Sequence, residues 1–195
     1  QVSSAASDVY KRQLLNITMY AMLAVFVMIQ IAICWRIFQY VNGIEYTGAT
    51  ASFLGMTYYT GITGAQLVGA VVSSGIFAGI GIIYGHELAH TKGFSFLIAR
   101  WMMGLSGSAH FCYAHVYNHH LELGCENDPA TAPRGRSLYA HLPKSHFGQS
   151  KFLYTMEKQR LKRLGVPFLS WQNRWIRGYA TVSYTHLTLP TTPFV

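Results

Sequence analysis

Five histidines in two short clusters are the residues of this chain best suited to chemistry. The first cluster reads His-Glu-Leu-Ala-His over 86–90, and the second reads His-Val-Tyr-Asn-His-His over 115–120. Residues four apart lie on one face of a helix, about one turn apart, so both clusters can direct two imidazoles at a common ion. The sequence therefore predicts a metal site whose ligands are His86, His90, His115, His119 and His120.

Two other histidine positions need separate interpretation. On a regular helix His120 is rotated by about 100° from His119, which suits a second metal or a helix that unwinds at its ligand end. His110 lies five residues before His115 and points elsewhere, so we expect it to have a structural or supporting role. A lone histidine on an apolar face is usually a satisfied core residue, but five at these spacings favour a metal site.

The kind of metal follows from the number of imidazoles. The first cluster alone fits the His-Glu-x-x-His zinc protease pattern, in which Glu87 would be the general base. The second cluster supplies more imidazoles than a three-ligand hydrolytic zinc needs, which favours iron that binds and activates oxygen. Cys34, Cys112 and Cys125 form no close pair, so they predict neither a disulfide framework nor a zinc knuckle.

The elements that must position these histidines look like membrane helices. Hydrophobic residues make up 51% of the chain and charged residues only 11%, which points away from a soluble globule. The uncharged stretches at about 14–35 and 62–84 are each long enough to cross a hydrocarbon layer, with a buried core helix as the alternative. Residues 46–61 read as an interfacial turn or re-entrant piece. The predicted class is an all-α integral membrane protein with two transmembrane helices.

The segment between the two clusters, 94–114, is apolar enough to resemble a third span. If it crossed the bilayer, the clusters would lie on opposite faces, and Arg100 would lie in hydrocarbon at high cost. We therefore expect an interfacial or re-entrant helix that returns to the same side.

The distribution of charge predicts on which side of the membrane the two histidine clusters lie. Twelve of the fifteen Lys and Arg residues follow His90, so the positive-inside rule places the histidine side, and a helical segment after it, in the cytoplasm. The net charge of +8 is then a topology signal, and nucleic-acid binding is not expected. Lys151–Gly165 alternates apolar and basic residues, which indicates an interfacial helix with a solvated face or, alternatively, a docking patch at Lys158 and Lys162.

The sequences at the two ends of the chain resemble products of one artificial DNA element. The peptides at 8–13 and 182–187 can be encoded by one DNA element read in opposite directions, and unrelated natural tails are the alternative. We interpret 1–13 and 182–195 as sequencing-adapter scars, which removes His186 from the ligand set. The natural part is then expected to be a fragment covering about 14–181.

Several motifs together carry a family resemblance over residues 86–179. They are the two histidine boxes, Asp128–Ala132, Gly135-x-Ser137-x-Tyr139, Leu142–Ser145, Glu157–Leu161 and Trp171-x-Asn173-Arg174. With these motifs the chain resembles the AlkB-type integral-membrane alkane monooxygenases, within the histidine-rich membrane di-iron hydroxylases and desaturases. Departures at Thr91, Ala114 and Asn118 remove no ligand.

The resemblance implies two non-haem irons that use O2 to hydroxylate the terminal carbon of a linear alkane taken from the lipid. It implies electrons from a rubredoxin- or ferredoxin-type carrier, and it assigns Glu87 to orienting a neighbouring imidazole. The family's later histidine segments are missing, so the five ligands are half a site and we expect the fragment to be inactive alone. A membrane fatty-acyl desaturase or hydroxylase, a membrane zinc protease and a non-enzymatic membrane protein are the alternatives.

Overall fold

The computed structural model describes residues 2–53 and 55–183, and the side chains of 13–53 and 55–180. The elements in chain order are α1 Val2–Val41, β1 Thr50–Phe53, β2 Met56–Tyr59, α2 Gly64–Ala89, α3 Phe94–Leu105, α4 Phe111–Ala114, a π turn His115–His119, α5 His120–Glu122, α6 Leu138–Arg163 and α7 Arg174–Ser183. α1 includes residues 2–13, whose origin as a scar stays a prediction. Residues 184–195, with His186, lie outside the described residues.

α1 and α2 are the two helices long and apolar enough to cross a membrane. The stretches are Gln13–Val41, of 29 residues, and Gly64–Ala89, of 26 residues, with mean hydropathies of 2.3 and 2.0. Only 11% and 6% of the most apolar windows are buried, which does not fit the core helices of a soluble protein. The predicted class, a helical protein with two membrane-spanning candidates, is confirmed.

The two long helices pack against each other in antiparallel directions. Tyr40 lies against Gly64, and the Phe26 ring lies against Gly81. A Cβ atom at Gly81 would be in ordinary van der Waals contact with that ring. Nearer the other end, Met19 joins Leu88 in one buried cluster. Because α2 runs back along α1, its last turn and the histidines on it lie at the end opposite the α1–α2 connection.

That connection contains a short β-hairpin, in the segment that the sequence analysis read as an interfacial turn or re-entrant piece. Thr50 pairs with Tyr59 and Phe53 with Met56 in an antiparallel ladder, in a stretch rich in the Thr, Tyr and Phe residues that favour strands. The guanidinium of Arg36 donates hydrogen bonds to the carbonyl oxygens of Tyr59 and Gly61 at 3.0 and 3.3 Å. These bonds tie the hairpin to the end of α1.

The segment between the histidine clusters is two helices joined by a turn. α3 has 12 residues, so it is about 18 Å long and too short to cross a bilayer. Gly107, at φ +76°, turns the chain back after it, and α4 then leads into the second cluster. The segment therefore folds back, and the helix expected over 94–114 is interrupted at 105. Its position at the membrane interface stays a prediction.

The core beneath the histidines is formed where α2, α3 and α4 meet. Leu88, Met102, Met103 and Cys112 are fully buried there. A Cβ at Gly85 would lie 3.1 Å from the Met103 methyl carbon, so a small residue is needed at this crossing. Close packing of α2 on α3 fixes the position of the first cluster relative to the second.

α6 and α7 form a second layer against the second cluster. Glu157 of α6 is fully buried and accepts hydrogen bonds from Arg160 at 2.7 and 2.8 Å and from the backbone N–H of Arg174 at 2.9 Å. The Arg174 guanidinium lies 5.1 Å above the ring centroid of Tyr113 in α4. Glu157 and Arg174 thus connect α6, the start of α7 and the helix that carries the second cluster.

Candidate metal centre

The end of α2 positions the first two histidines. His86 and His90 lie one turn apart, and their Nε2 atoms are 3.4 Å apart. The intervening Leu88 and Ala89 are buried in the core, so that face of the helix is held inward while the histidine face stays accessible. The predicted i, i+4 relation is present in the structure.

The second cluster does not lie on a regular α-helix. Residues His115–His119 form a π turn, in which the backbone N–H of His120 reaches the carbonyl of His115. A π turn contains one more residue than an α turn, and such turns are frequent at functional sites. The extra residue rotates His120 onto the side of His115, and their Nε2 atoms are 3.1 Å apart. On a regular helix His115 and His119 would share one face. In the structure, His115 faces His120 instead.

The two clusters meet at one place. The ring centroids of His86 and His115 are 4.4 Å apart, and those of His90 and His120 are 4.8 Å apart. One ring nitrogen from each of His86, His90 and His115 lies within 4.8 Å of the others. His86 and His90 at the end of α2, His115 at the start of the π turn and His120 at the start of α5 thus form a single four-imidazole group.

The nitrogen separations fit a transition-metal ion. Metal–nitrogen bonds of about 2.1 Å place neighbouring ligand nitrogens roughly 3.0 to 3.4 Å apart, depending on coordination geometry. The His86–His90 and His115–His120 separations of 3.4 and 3.1 Å fall at those values. The donor set, imidazole nitrogen alone, suits iron, zinc, copper or nickel rather than magnesium or calcium.

The electrostatics favour the neutral imidazole at His115 and His90. Burial lowers the pKa of His115 to about 3, with further lowering from the neighbouring histidines. Burial also lowers the pKa of His90, and His86 and His120 add to the shift. Neutral imidazoles keep a nitrogen lone pair for a cation, whereas protonated ones would repel both it and one another.

His119 is directed away from this group by a buried carboxylate. Its Nδ1 lies 2.7 Å from Oδ2 of Asp128, whose side chain is completely buried. Asp128 also accepts from the backbone N–H of Ala130 at 2.9 Å and from the Thr131 hydroxyl. Burial raises the pKa of Asp128, but these hydrogen bonds outweigh it and leave the pKa below its ordinary value.

This pairing defines the tautomer of His119. An ionised Asp128 accepts the Nδ1 proton, which leaves Nε2 of His119 with the lone pair that can bind a metal. Sequence reasoning used Asp128 only as part of a family motif. The signal was an acidic residue shortly after a histidine box, but Glu122 and Glu126 offered the same signal.

Glu87 and His110 occupy different surroundings. Oε1 of Glu87 lies 3.1 Å from Nδ1 of His86, within reach to orient that imidazole. His110 is buried outside the four-imidazole group, with its ring 4.5 Å from His146 and stacked on Tyr179 at 6.1 Å. Burial, followed by repulsion from His146, lowers the pKa of His110 to about 4. His146 was not identified from the sequence.

Comparison with protein families shows to which family the chain belongs. Residues 62–195 match the model of the fatty acid desaturase family. That match covers more than half of the chain, and the chain belongs to the fatty acid desaturase family.

Individual relatives narrow the resemblance further. The chain is 27% identical over 163 residues to the alkane 1-monooxygenase of Acinetobacter baylyi, covering 77% of this chain and 40% of the relative. It is 31% identical over 109 residues to the alkane 1-monooxygenase of Pseudomonas putida, covering 55% and 27%. It is 34% identical over 119 residues to alkane 1-monooxygenase 2 of Pseudomonas aeruginosa, covering 58% and 30%.

The chain therefore spans between about a quarter and two fifths of the length of these relatives. The resemblance to alkane monooxygenases drawn from the sequence motifs is confirmed. The family and these relatives are all named as oxidoreductases.

Proposed function

We propose that this chain forms part of a membrane di-iron monooxygenase that inserts one atom of O2 into the terminal C–H bond of a linear alkane. The observation that carries the proposal is the convergence of His86 and His90 with His115 and His120 at metal-ligand separations. The similarity to alkane 1-monooxygenases supports the substrate class. A fatty-acyl substrate is the alternative within the family.

Each of the five histidines has a defined part in this proposal. His86, His90, His115 and His120 hold one iron through the nitrogens that face one another. His119 offers Nε2 to the second iron, whose remaining ligands come from other parts of the full enzyme. Bound iron supplies the chemistry that activates O2.

The chain's other residues hold protons and exclude water. Asp128 keeps a proton on Nδ1 of His119, and Glu87 does the same for His86, so each ring is fixed in its metal-binding tautomer. Beneath the imidazoles, the packed side chains of Leu88, Met102 and Met103 close the site from below. An apolar floor of this kind is compatible with a hydrocarbon substrate.

Metal binding by the purified chain tests the first part of the proposal. In detergent and without oxygen, the chain should bind Fe(II), and His115→Gln should weaken that binding by at least about tenfold because one of four ligands is lost. His146→Gln is the matched control, since His146 lies outside the four-imidazole group. Equal binding by His115→Gln and the unmodified chain would contradict the proposed iron site.

The substrate class is tested in a full-length enzyme that contains this segment. Membranes with a rubredoxin- or ferredoxin-type donor should convert a linear alkane to its terminal alcohol, and His90→Gln should abolish the conversion. Formation of a double bond in a fatty-acyl substrate would instead identify a desaturase. One bound zinc and no iron would favour the protease alternative and overturn the proposal.

The electron carrier is proposed to dock on the exposed face of α6. Lys158 and Lys162 are both exposed there, one turn apart, and suit an acidic partner. In the full-length enzyme, Lys158→Glu with Lys162→Glu should raise the carrier's apparent KM in a salt-sensitive way. An unchanged KM would show that the lysines only form a solvated helix face.

A further inference from the structure

A groove outside the metal centre lies between the end of α6, the start of α7 and the π turn. Its volume is about 400 Å³, and it is lined by Tyr117, Met156, Arg160, Arg163, Leu164 and Arg174. Tyr117 and Leu164 are 47% and 57% exposed. The groove is thus large enough for part of a small ligand and is open to the surroundings.

The groove carries excess positive charge. Three guanidiniums line it, and the buried Glu157 carboxylate forms ion pairs with two of them, Arg160 at 2.7 Å and Arg174 at 3.9 Å. Arg163 has no hydrogen-bond or ion-pair partner among the side chains that the structure describes. One free guanidinium beside two that share a single carboxylate creates a site for an anion.

The rest of the lining is apolar. Tyr117, Met156 and Leu164 place a ring and two aliphatic side chains beside the guanidiniums. A soluble anion would leave this surface in water, whereas an anionic amphiphile would cover it with its hydrocarbon part. Met156, Arg160 and Arg163 follow one another at four and three residues, so they share one face of α6. Lys158 lies about 200° around the helix from Met156, so the groove is separate from the proposed carrier surface.

We propose that this groove binds the head group of an anionic phospholipid. Arg163 and its neighbours contact the phosphate, and the beginning of an acyl chain lies against Tyr117, Met156 and Leu164. Anionic lipid is abundant at the cytoplasmic surface of membranes, where basic side chains attract it. Tyr117 belongs to the π turn that carries His115 and His119, so a bound lipid would contact the element that positions the second histidine cluster.

Lipid retention by the whole chain tests this proposal. The chain is extracted into neutral detergent with equal amounts of phosphatidylglycerol and phosphatidylcholine, and bound lipid is counted by native mass spectrometry. Phosphatidylglycerol should be retained in preference to phosphatidylcholine. Arg163→Gln should lower that retention by about tenfold, the effect of losing one charged hydrogen-bond donor.

Two further variants make the result specific. Arg136→Gln removes an equal charge from an exposed position before the start of α6, at the far end of the helix from the groove, and should leave retention unchanged. Leu164→Gln changes no charge but removes part of the apolar wall, and should also weaken retention. Circular dichroism checks that each variant keeps the helical fold, and Leu164→Gln remains informative if Arg163→Gln does not fold.

Four results would overturn the proposal. Equal retention of the two lipids would show that the groove does not select an anionic head group. Equal loss of retention in Arg136→Gln and Arg163→Gln would show only a general attraction between positive charge and anionic lipid. Displacement by excess inorganic phosphate with no effect of Leu164→Gln would identify a free-anion site. Weaker binding of an acidic electron carrier by Arg163→Gln, with lipid retention unchanged, would assign the groove to a protein partner. None of these results depends on whether the iron site is assigned correctly.

Discussion

At the scale of single residues, the site depends on how its imidazoles are held as much as on which residues they are. Asp128 is completely buried, and burial alone disfavours its charge. Three donors, from His119, Ala130 and Thr131, compensate that cost and leave an anion facing one imidazole. The carboxylate therefore has a specific partner, and removing its charge should affect His119 first.

Asp128→Asn tests this dependence. The amide keeps the size of the side chain but accepts the Nδ1 proton of His119 less strongly, so the ring loses its fixed tautomer. In the full-length enzyme, which would supply the remaining ligands of the proposed second ion, we expect the affinity for that ion to fall by about 10- to 100-fold, as for other carboxylates that support histidine ligands. Equilibrium Co(II) titration of the full-length enzyme, followed by its absorption bands, measures the change. Glu126→Gln, an exposed neighbour, should have no effect, and equal affinities for the Asp128 variant and the unmodified enzyme would contradict the role.

His110 should make stability depend on pH. Burial against His146 and Tyr179 lowers its folded-state pKa to about 4, from 6.5 when unfolded. As pH falls below about 6.5 the unfolded chain gains a proton that the folded chain does not, so stability decreases until the pH reaches about 4. The loss over that window is at most about 3 kcal/mol.

His110→Leu isolates that contribution. The apparent Tm in detergent is measured from pH 7.5 to about pH 4.5, a range chosen from the shifted pKa. The unmodified chain should lose more stability than the variant over this range, because only the unmodified chain contains the buried imidazole of His110. Parallel curves for the two proteins would show that His110 does not titrate as proposed.

The approach of the two histidine clusters to one another was predictable at this scale, but the pairing of the individual histidines was not. The i, i+4 spacing of His86 and His90 is sufficient where the helix is regular. The pairing of His115 with His120 depends on one additional residue in a turn, and no local pattern in the sequence specifies it. Asp128 reaches His119 through the folding of a loop, which spacing along the chain does not determine.

At the scale of elements, the relation of the helices depends on a few polar anchors. The long apolar helices follow directly from composition, since uncharged stretches of that length favour membrane spans. Arg36 anchors the hairpin to α1 by donating to backbone carbonyls 23 and 25 residues away, a contact that no local pattern in the sequence predicts. A similar long-range anchor, Glu157, holds α6 and α7 together.

Glu157→Gln should loosen the contact between α6 and α7. The amide cannot neutralise Arg160 and accepts fewer hydrogen bonds than the carboxylate, so two donors lose their partner. Because Arg160 is partly exposed, we expect a loss of about 2 kcal/mol, below the range for fully buried pairs. Thermal unfolding in detergent, followed by far-UV circular dichroism, measures it. Glu45→Gln, an exposed site outside the ion pairs, should change the unfolding midpoint little, and a similar small change for Glu157→Gln would contradict its anchoring role.

At the scale of the whole molecule, the antiparallel packing of α1 and α2 places the hairpin and the histidine clusters at opposite ends of the helix pair. The hairpin lies at one end, and the last turn of α2 with its histidines lies at the other. Because α3 is too short to cross and the chain turns back at Gly107, the second cluster stays at the end where the first cluster lies. A shared metal site thus requires the segment between the clusters to remain on one side.

This arrangement predicts the labelling of cysteines from the two sides of a membrane. Cys125 is exposed and follows the second cluster, whereas Cys34 is half-buried within α1 and Cys112 is fully buried. If the basic histidine end faces the cytoplasm, an impermeant maleimide should label Cys125 in inverted bacterial membrane vesicles but not in intact spheroplasts. Ser52→Cys in the exposed hairpin, made together with Cys125→Ser, should give the reverse pattern. Labelling of both positions from the same side would refute the two-span topology, and reactivity of Cys125 in spheroplasts alone would place the metal centre on the outer face.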